Sequence, residues 1–265
     1  MKIKIALLAG LIAVAPFAGA SAQSMLDMVD LKSDAFTMAE MSRGDIEAAI
    51  AKLGPGEVLD LRAKSLNGLD LSNMDLRRTN LQTARLMGTN LAGANLDGVV
   101  LDQAWALDAN LTGASLRGAS LFGTQLVGAT LDNADLSKAR VAGNLSKASL
   151  VNARLDGADL SPDETNQSMG LMRGEFSSAK LDGASFKNAN MARALMEYAS
   201  LRNAILIGAN LRGIELAGAD LTGADVKGAN FDGADVNSAR IGALKNLDEA
   251  KNFDKVKNID RAYRD

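Results

Sequence analysis

The 265-residue chain contains no cysteine and no histidine, and only 3 prolines. These absences exclude disulfides, thiolate zinc sites, Ser-His-Asp triads and histidine acid–base pairs. Aromatic residues are also scarce, at 4 % with a single tryptophan, so the core must be assembled from aliphatic and small side chains. Neither sign of charge dominates: 29 Lys and Arg against 32 Asp and Glu give a net charge of -3, which points to no polyanionic partner such as nucleic acid. What the chain does have is 25 glycines, 47 % hydrophobic residues and a strong internal period.

The first 22 residues differ from the rest. Lys2 and Lys4 precede an unbroken apolar run over residues 5–15, and Ala20-Ser21-Ala22 supplies a small-residue cleavage site before Gln23. This is the pattern of a secretory signal peptide cleaved after Ala22. The run is interrupted at Pro16, short of the roughly 20 apolar residues that a membrane span needs. Stable membrane insertion is therefore not expected once the peptide is removed, and no Cys follows it to carry a lipid. Loss of Lys2 and Lys4 leaves 27 positive against 32 negative residues, a net of -5. The expected address is the periplasm of a Gram-negative cell.

Beyond residue 57 large apolar residues recur every five positions. They run from Leu61 to Val141, continue in a shifted phase over Leu145, Leu150, Leu155 and Leu160, and resume from Leu171 to Ile241. Of these 36 positions, 35 are Leu, Ile, Val, Met or Phe, with Ala106 the exception; two residues earlier, 24 of the 36 are Ala. Composition bias cannot hold two residue types in fixed phase. A period of five fits neither the 3.6-residue helix nor strand alternation, so the chain must turn a corner in every repeat. Stacked coils would bury the Leu and Ala positions, pair their backbones at about 4.8 Å, and place Gly and Asn at the corners.

Ala94-Asn95-Leu96-Asp97-Gly98, Ala134-Asp135-Leu136-Ser137-Lys138 and Ala219-Asp220-Leu221-Thr222-Gly223 resemble the A-(D/N)-L-x-x motif of the pentapeptide-repeat family. The resemblance covers residues 57–243 and implies an all-β fold, a right-handed quadrilateral parallel β-helix with four repeats per coil. Thirty-six repeats give nine coils, on the order of 43 Å. Residues 23–56 read as a helical N-terminal cap: Thr37-x-x-Glu40 has the form of a capping box, and Asp45 is placed to cap a helix running to Leu53 before Gly54. Residues 244–265 read as a C-terminal helical cap, because Phe253, Val256, Ile259 and Tyr263 share one arc of a helical wheel. In relatives of this kind the C-terminal end mediates homodimerisation, so the resemblance implies a two-fold dimer through that cap.

Catalytic signatures are missing: there is no phosphate-binding loop, nucleophile elbow or metal-ligand cluster, and no cofactor is expected. Asp70, Asp75, Asp220, Asp225 and Asp235 all fall just before a central residue, where a carboxylate serves the turn rather than a reaction. Two features depart from the repeat. Residues 161–170 form a loop that reads first as a tolerated insertion; the alternative is a partner-contacting loop, with Asp163, Glu164, Asn166 and Gln167 as candidate contacts. Met87, Leu107 and Val127 recur once per coil and stack in one outward column beside Trp105, a candidate protein-binding face. Trp105 instead folding over the thin core at Ala106 is the competing reading. Ile205 and Ile207 form a smaller second group.

The functional expectation is a non-catalytic periplasmic solenoid that binds a protein or serves as a scaffold. The resemblance supplies an alternative, since some pentapeptide-repeat proteins imitate DNA, bind gyrase and confer quinolone resistance. A full mimic over 43 Å would present on the order of 25 negative charges at one per about 1.7 Å. The mature chain carries a net of -5, and gyrase lies in the cytoplasm.

Overall fold

The computed structural model describes residues 37–163 and 172–264. The expected signal peptide, with its cleavage site, lies outside the described residues.

Each pentapeptide makes one side of a four-sided coil. The central Leu and the Ala two residues before it point inward and are buried at the described positions between Leu61 and Ile241. Two residues after the centre, the backbone turns through the left-handed region, as at Asn73 (φ 57°) and Gly93 (φ 65°). The turn closes when the next inward Ala donates its N–H to the central carbonyl, as Ala84 does to Leu81 at 3.0 Å. The remaining backbone groups pair with the coils on either side: Leu86 N–H donates to Trp105 O at 2.6 Å, and Asn90 N–H to Leu69 O at 2.8 Å. Backbone groups are thus satisfied without long strands. The ladders consist of single parallel bridges from each coil to the next, such as Ser65↔Arg85↔Trp105↔Gln125, with one short strand pair at Leu59–Asp60 and Thr79–Asn80.

The four columns of bridges define four faces, named here the Trp105, Asn110, Ser115 and Asn210 faces after a member of each. This is a parallel β-helix solenoid with four repeats per coil. Its core is a continuous stack of Leu and Ala, each fully buried Leu contributing about 1.5–3 kcal/mol.

Both phase shifts fall at the corner leading into the Trp105 face. Gln125 bridges Asn144 where the regular step would reach Leu145, and Asn144 bridges Glu175, on the far side of the inserted segment. The short coil is closed by Val141-Ala142-Gly143. A Cβ on Gly143 would lie 2.6 Å from Thr124 O, so only glycine fits this tightened corner. Gly174 occupies the same position one coil later, and Phe176 fills the room that the missing methyl leaves, its ring edge 3.1 Å from where that Cβ would be. The long coil carries the inserted segment, which is pinned where Asp163 N–H donates to Met172 O at 3.0 Å and Gly174 N–H to Leu160 O at 2.9 Å. The stack resumes at Glu175-Phe176. Leu171, read from the sequence as the first repeat after the break, lies outside the described residues.

The ends differ from expectation in instructive ways. At the N-terminal end a helix runs over Arg43–Ala51 with Ser42 as its cap. Asp45 is therefore the third helical residue, not the cap: its carboxylate accepts from Ser42 N–H at 2.9 Å, while Asp45 N–H donates to Ser42 Oγ at 3.2 Å. The predicted Thr37–Glu40 box does not form, because Glu40 is drawn instead to Lys64, Arg85 and the Ser65 amide. Ile46 is fully buried and Arg43 donates to Asp70 O and Ser72 O, so the helix covers the first coil.

At the other end residues 244–264 are not a helical cap. They form a further coil with a period of six, bridged at Asp225↔Lys245, Asn230↔Lys251, Asp235↔Lys257 and Arg240↔Tyr263. Asn246, Asn252 and Asn258 adopt left-handed backbone at φ 55–57°, each followed by a 3₁₀ turn beginning at Leu247, Phe253 or Ile259. Their amides donate to Asp225, Asn230 and Asp235 at 2.7–2.8 Å. The spacing of three between Phe253, Val256 and Ile259 is half a hexad, which imitates helical periodicity. Phe253 packs edge-on against Phe231, with ring centroids 5.1 Å apart.

Candidate functional site

The outward surface follows a hydrogen-bonding rule against which exceptions stand out. Each repeat exposes one backbone N–H just after its central residue. Where the residue before the centre is Asp or Asn, its own side chain accepts that N–H, as in Asn110 from Thr112 at 3.1 Å and Asp135 from Ser137 at 2.9 Å. Where it is Ser, from Ser115 onward, the acceptor comes from the previous coil. Asp97 accepts both Ser115 Oγ–H at 2.5 Å and Arg117 N–H at 2.9 Å. Asp132 does the same for Ser149 and Val151, and Asp156 for Ser185 and Lys187. These Asp clamps tie neighbouring coils together and were not read from the sequence. The visible signal was Ser just before one central residue, paired with Asp just after the central residue of the preceding coil.

The carboxylates considered for catalysis all obey the rule. Asp70 caps Ser72, Asp75 caps Arg77 and also receives two bonds from its guanidinium, Asp220 caps Thr222, Asp225 caps Lys227 and Asp235 caps Asn237. The bonds to Arg77 hold the Asp75 carboxyl below the usual carboxylate range. Among the described residues no group of three His, Cys, Asp or Glu is placed to hold a metal ion, and no helix is long and apolar enough to cross a membrane.

The rule holds only in part on the Trp105 face, where Asn67 accepts Met87 N–H at 2.8 Å and Asn144 and Asp235 cap Ser146 and Asn237, while Leu107 and Val127 follow residues that supply no such cap. The bridges place Arg85, Trp105 and Gln125 in one column, and the N–H groups of Gly88 and Asp108 donate to Leu107 O and Val127 O, which stacks Met87, Leu107 and Val127 in the adjacent column. The structure therefore brings the four predicted residues together. None of the four is among the strongly exposed residues: Leu107 is buried, while Met87, Trp105 and Val127 are half-buried. Leu107 sits between Met87 and Val127 at the inter-coil spacing, which removes much of its surface. Trp105 is engaged rather than free. Ile205 and Ile207 are half-buried on the Ser115 face.

The inserted segment leaves from the corner that borders the same face. Met172 reaches Gly123 there, its Cε 3.0 Å from where a Gly123 Cβ would be. Asp163 stands at the base of the insertion; Glu164, Asn166 and Gln167 lie outside the described residues. Arg173 turns towards the C-terminal coils, donating to Arg193 O at 2.8 Å and to Glu215 at 3.0 Å. Burial pushes the Glu175 carboxyl above its ordinary range, opposed by the positive charge of Arg173. The face is thus divided. Its N-terminal half carries Lys64, Arg85 and the apolar ladder, and its C-terminal half carries Glu175, Glu197, Glu215 and Asp235.

The family profile of pentapeptide repeats matches eight copies in this chain, over residues 65–104, 108–143, 175–213 and 199–237. Among solved structures the chain is similar to HetL, a pentapeptide repeat protein involved in heterocyst differentiation regulation in the cyanobacterium Nostoc sp. strain PCC 7120. Identity is 28 %, coverage 80 % of this chain and 94 % of that one, and the TM-score 0.49. It is also similar to QnrB1, a plasmid-mediated fluoroquinolone resistance protein, at 18 % identity, 77 % and 93 % coverage and a TM-score of 0.32. A pentapeptide repeat protein of the Arabidopsis thaliana thylakoid lumen matches at 22 % identity, 60 % and 68 % coverage and a TM-score of 0.19. No curated protein matches the chain.

Proposed function

The chain belongs to the pentapeptide-repeat family, and from that premise we propose that it is a non-catalytic, exported solenoid whose Trp105 face binds a protein in the periplasm. One observation carries this reading: the departures from the repeat converge on a single face. The apolar ladder of Met87, Leu107 and Val127, the half-buried Trp105, the corner insertion and the thinnest side-chain capping all lie together there. The other three faces keep polar caps along most of their length. A rigid, nearly flat surface bearing a central aromatic and aliphatic patch is suited to protein recognition. The acidic half of the face favours a partner with basic residues beside its apolar contact.

The DNA-imitating alternative draws less support. Acidic groups mostly sit against cations, as in Glu40 with Arg85 and Glu215 with Arg173 on the Trp105 face, and Asp60 with Arg62, Asp220 with Arg202 and Glu249 with Lys227 elsewhere. A continuous negative stripe is what such imitation needs. The twofold dimer implied by the resemblance would use the hexad coil, where Leu247 and Tyr263 are exposed.

The reading is tested by fractionating cells that express the C-terminally tagged chain and determining the mature N-terminus by mass spectrometry. A periplasmic product beginning at Gln23 is expected. A cytoplasmic product retaining Met1 would overturn the address and make a gyrase supercoiling assay the next step.

A further inference from the structure

The two ends of the Trp105 face are complementary to each other. At the N-terminal end Lys64 and Arg85 share one carboxylate, Glu40, at 3.3 and 2.9 Å, which leaves positive charge in excess beside Met87 and Trp105. At the C-terminal end Glu175, Glu197, Glu215 and Asp235 outnumber Arg173, which reaches Glu215 at 3.0 Å. Leu195 is half-buried among these carboxylates, and Tyr198, 70 % exposed, stands at the adjoining corner. Its ring lies against Gly218, where a Cβ would come within 2.6 Å of it. Glu175 is half-buried, yet its carboxylate makes no hydrogen bond among the described residues. A partner suited to the acidic end therefore carries cations and amide donors beside apolar side chains, and the basic end of the same face has that composition.

A twofold axis lying across the face brings the two ends together. It reverses the direction of the solenoid and lays each outward column on the same column of a second copy. Nine bridged positions run from Ser65 to Asp235 and Asn144 is the fifth, so an axis at Asn144 overlaps the whole face. Counting outward from Asn144, Gln125 meets Glu175, Trp105 meets Leu195 and Arg85 meets Glu215. In the second column Met87 meets Ala217 and Val127 meets Ser177, while Leu107, already buried, meets Glu197. Arg85 and Glu215 keep their own partners, so each contact sets Glu40, Arg85, Glu215 and Arg173 in a row of alternating sign. Moving the axis half a coil step to either side would instead set Trp105 against Glu175 or Glu215. The footprint is about 43 Å by 10 Å, or about 430 Å² per copy before side-chain relief is counted. Two copies together approach the lower end of specific interfaces, about 1,000–1,200 Å², which suits a reversible dimer. We propose that the protein bound by the Trp105 face is a second copy of this chain, antiparallel about an axis at Asn144. The proposal rests on the reading of this face as a protein-binding surface, and it differs from the dimer through the hexad coil that the family resemblance implies.

Single cysteines introduced into the purified full chain, which has none of its own, read the geometry. Ser146→Cys lies beside the axis, Val151→Cys lies in the same coil on the Asn110 face, and Leu247→Cys lies on the hexad coil. A bismaleimide linker of about 10 Å, the spacing of packed sheets, should join Ser146→Cys chains into dimers and leave Val151→Cys chains monomeric. In sedimentation velocity, Arg85→Glu and Glu215→Lys should each lower dimer affinity about tenfold or more. An equimolar mixture of the two variants should recover it, because opposite charges then meet at both contacts, a recovery that misfolded chains would not give. A monomer at every concentration, linking of Leu247→Cys without linking of Ser146→Cys, or no recovery on mixing would each overturn the proposal. Such a failure would leave binding of a different protein at this face standing, since that reading falls only if Val127 photo-crosslinking in cells yields no protein adduct.

Discussion

Gly143 is where the solenoid is most sensitive to a single methyl group. In Gly143→Ala the new Cβ would meet Thr124 O at 2.6 Å, Leu121 O at 2.9 Å and Thr124 N at 3.1 Å. All three are backbone atoms, so relief requires the two coils to separate. That separation strains the ladder bonds from Asn144 N–H to Thr124 O (2.9 Å) and from Gly123 N–H to Ala142 O (2.8 Å). Overpacking costs about 1–3 kcal/mol, and one weakened ladder bond adds about 1 kcal/mol, so about 3 kcal/mol is expected in total. The control is Gly113→Ala, at φ 64° with nothing within 4 Å of its Cβ, where only the left-handed backbone penalty of about 1–2 kcal/mol applies. Because coils interact with nearest neighbours, a weakened contact at Gly143 should also uncouple the coils on either side of it. Trp105 reports the N-terminal coils, and far-UV circular dichroism reports the whole. Urea unfolding of Gly143→Ala should show a lower midpoint than Gly113→Ala and a divergence between the two probes. Equal destabilisation by the two substitutions, with coincident probes in both, would refute the packing argument.

Other perturbations follow from the same geometry. Asp132→Ala removes the acceptor of both Ser149 Oγ–H and Val151 N–H, and should cost about 1–3 kcal/mol in urea unfolding. Asn252→Ala keeps a left-handed corner but loses the amide bond to Asn230; hydrogen exchange should show fraying confined to residues 244–264, with Asn252→Gly less affected. Burial raises the Glu175 carboxyl above 4.5, so the folded state holds that proton more tightly than the unfolded state. Its favourable contribution is complete below the ordinary carboxyl value and is lost as pH rises through the folded one. Glu175→Gln should therefore gain stability relative to the parent at pH 7 but not at pH 4, measured as paired thermal midpoints.

The solenoid was legible because its two inward positions are set by volume. Leu96 and Ala94 must recur wherever the coil has a side, and Val141 to Leu145 announces a lost residue by breaking the phase. Gly143 and Gly174 were not marked as necessary, since the carbonyl of Thr124 that excludes a side chain comes from a neighbouring coil. The C-terminal hexads were misread because a six-residue coil, sampled at Phe253, Val256 and Ile259, offers the spacing of an amphipathic helix. The repeated Asn at 246, 252 and 258 was the distinguishing signal, each being a left-handed corner. At the other end Thr37–Glu40 and Ser42–Asp45 both satisfy the spacing of a capping box, and Lys64 and Arg85, distant in sequence, decide between them by holding Glu40. For the candidate face, stacking of every fourth repeat gave the column of Met87, Leu107 and Val127. Burial of Leu107 depends on the size of the Met87 and Val127 side chains beside it, which periodicity does not encode.

The central claim is that the Trp105 face meets a protein in the cell envelope. It is tested most directly by placing a photo-crosslinking amino acid at Val127 in the full chain, irradiating intact cells and separating periplasm from cytoplasm. The same probe at Ala92, on the Asn110 face, is the control. The account predicts a discrete adduct with a second protein, found in the periplasmic fraction and formed from Val127 but not from Ala92. Adducts formed equally from both faces, an adduct confined to the cytoplasm, or no adduct from Val127 would contradict it.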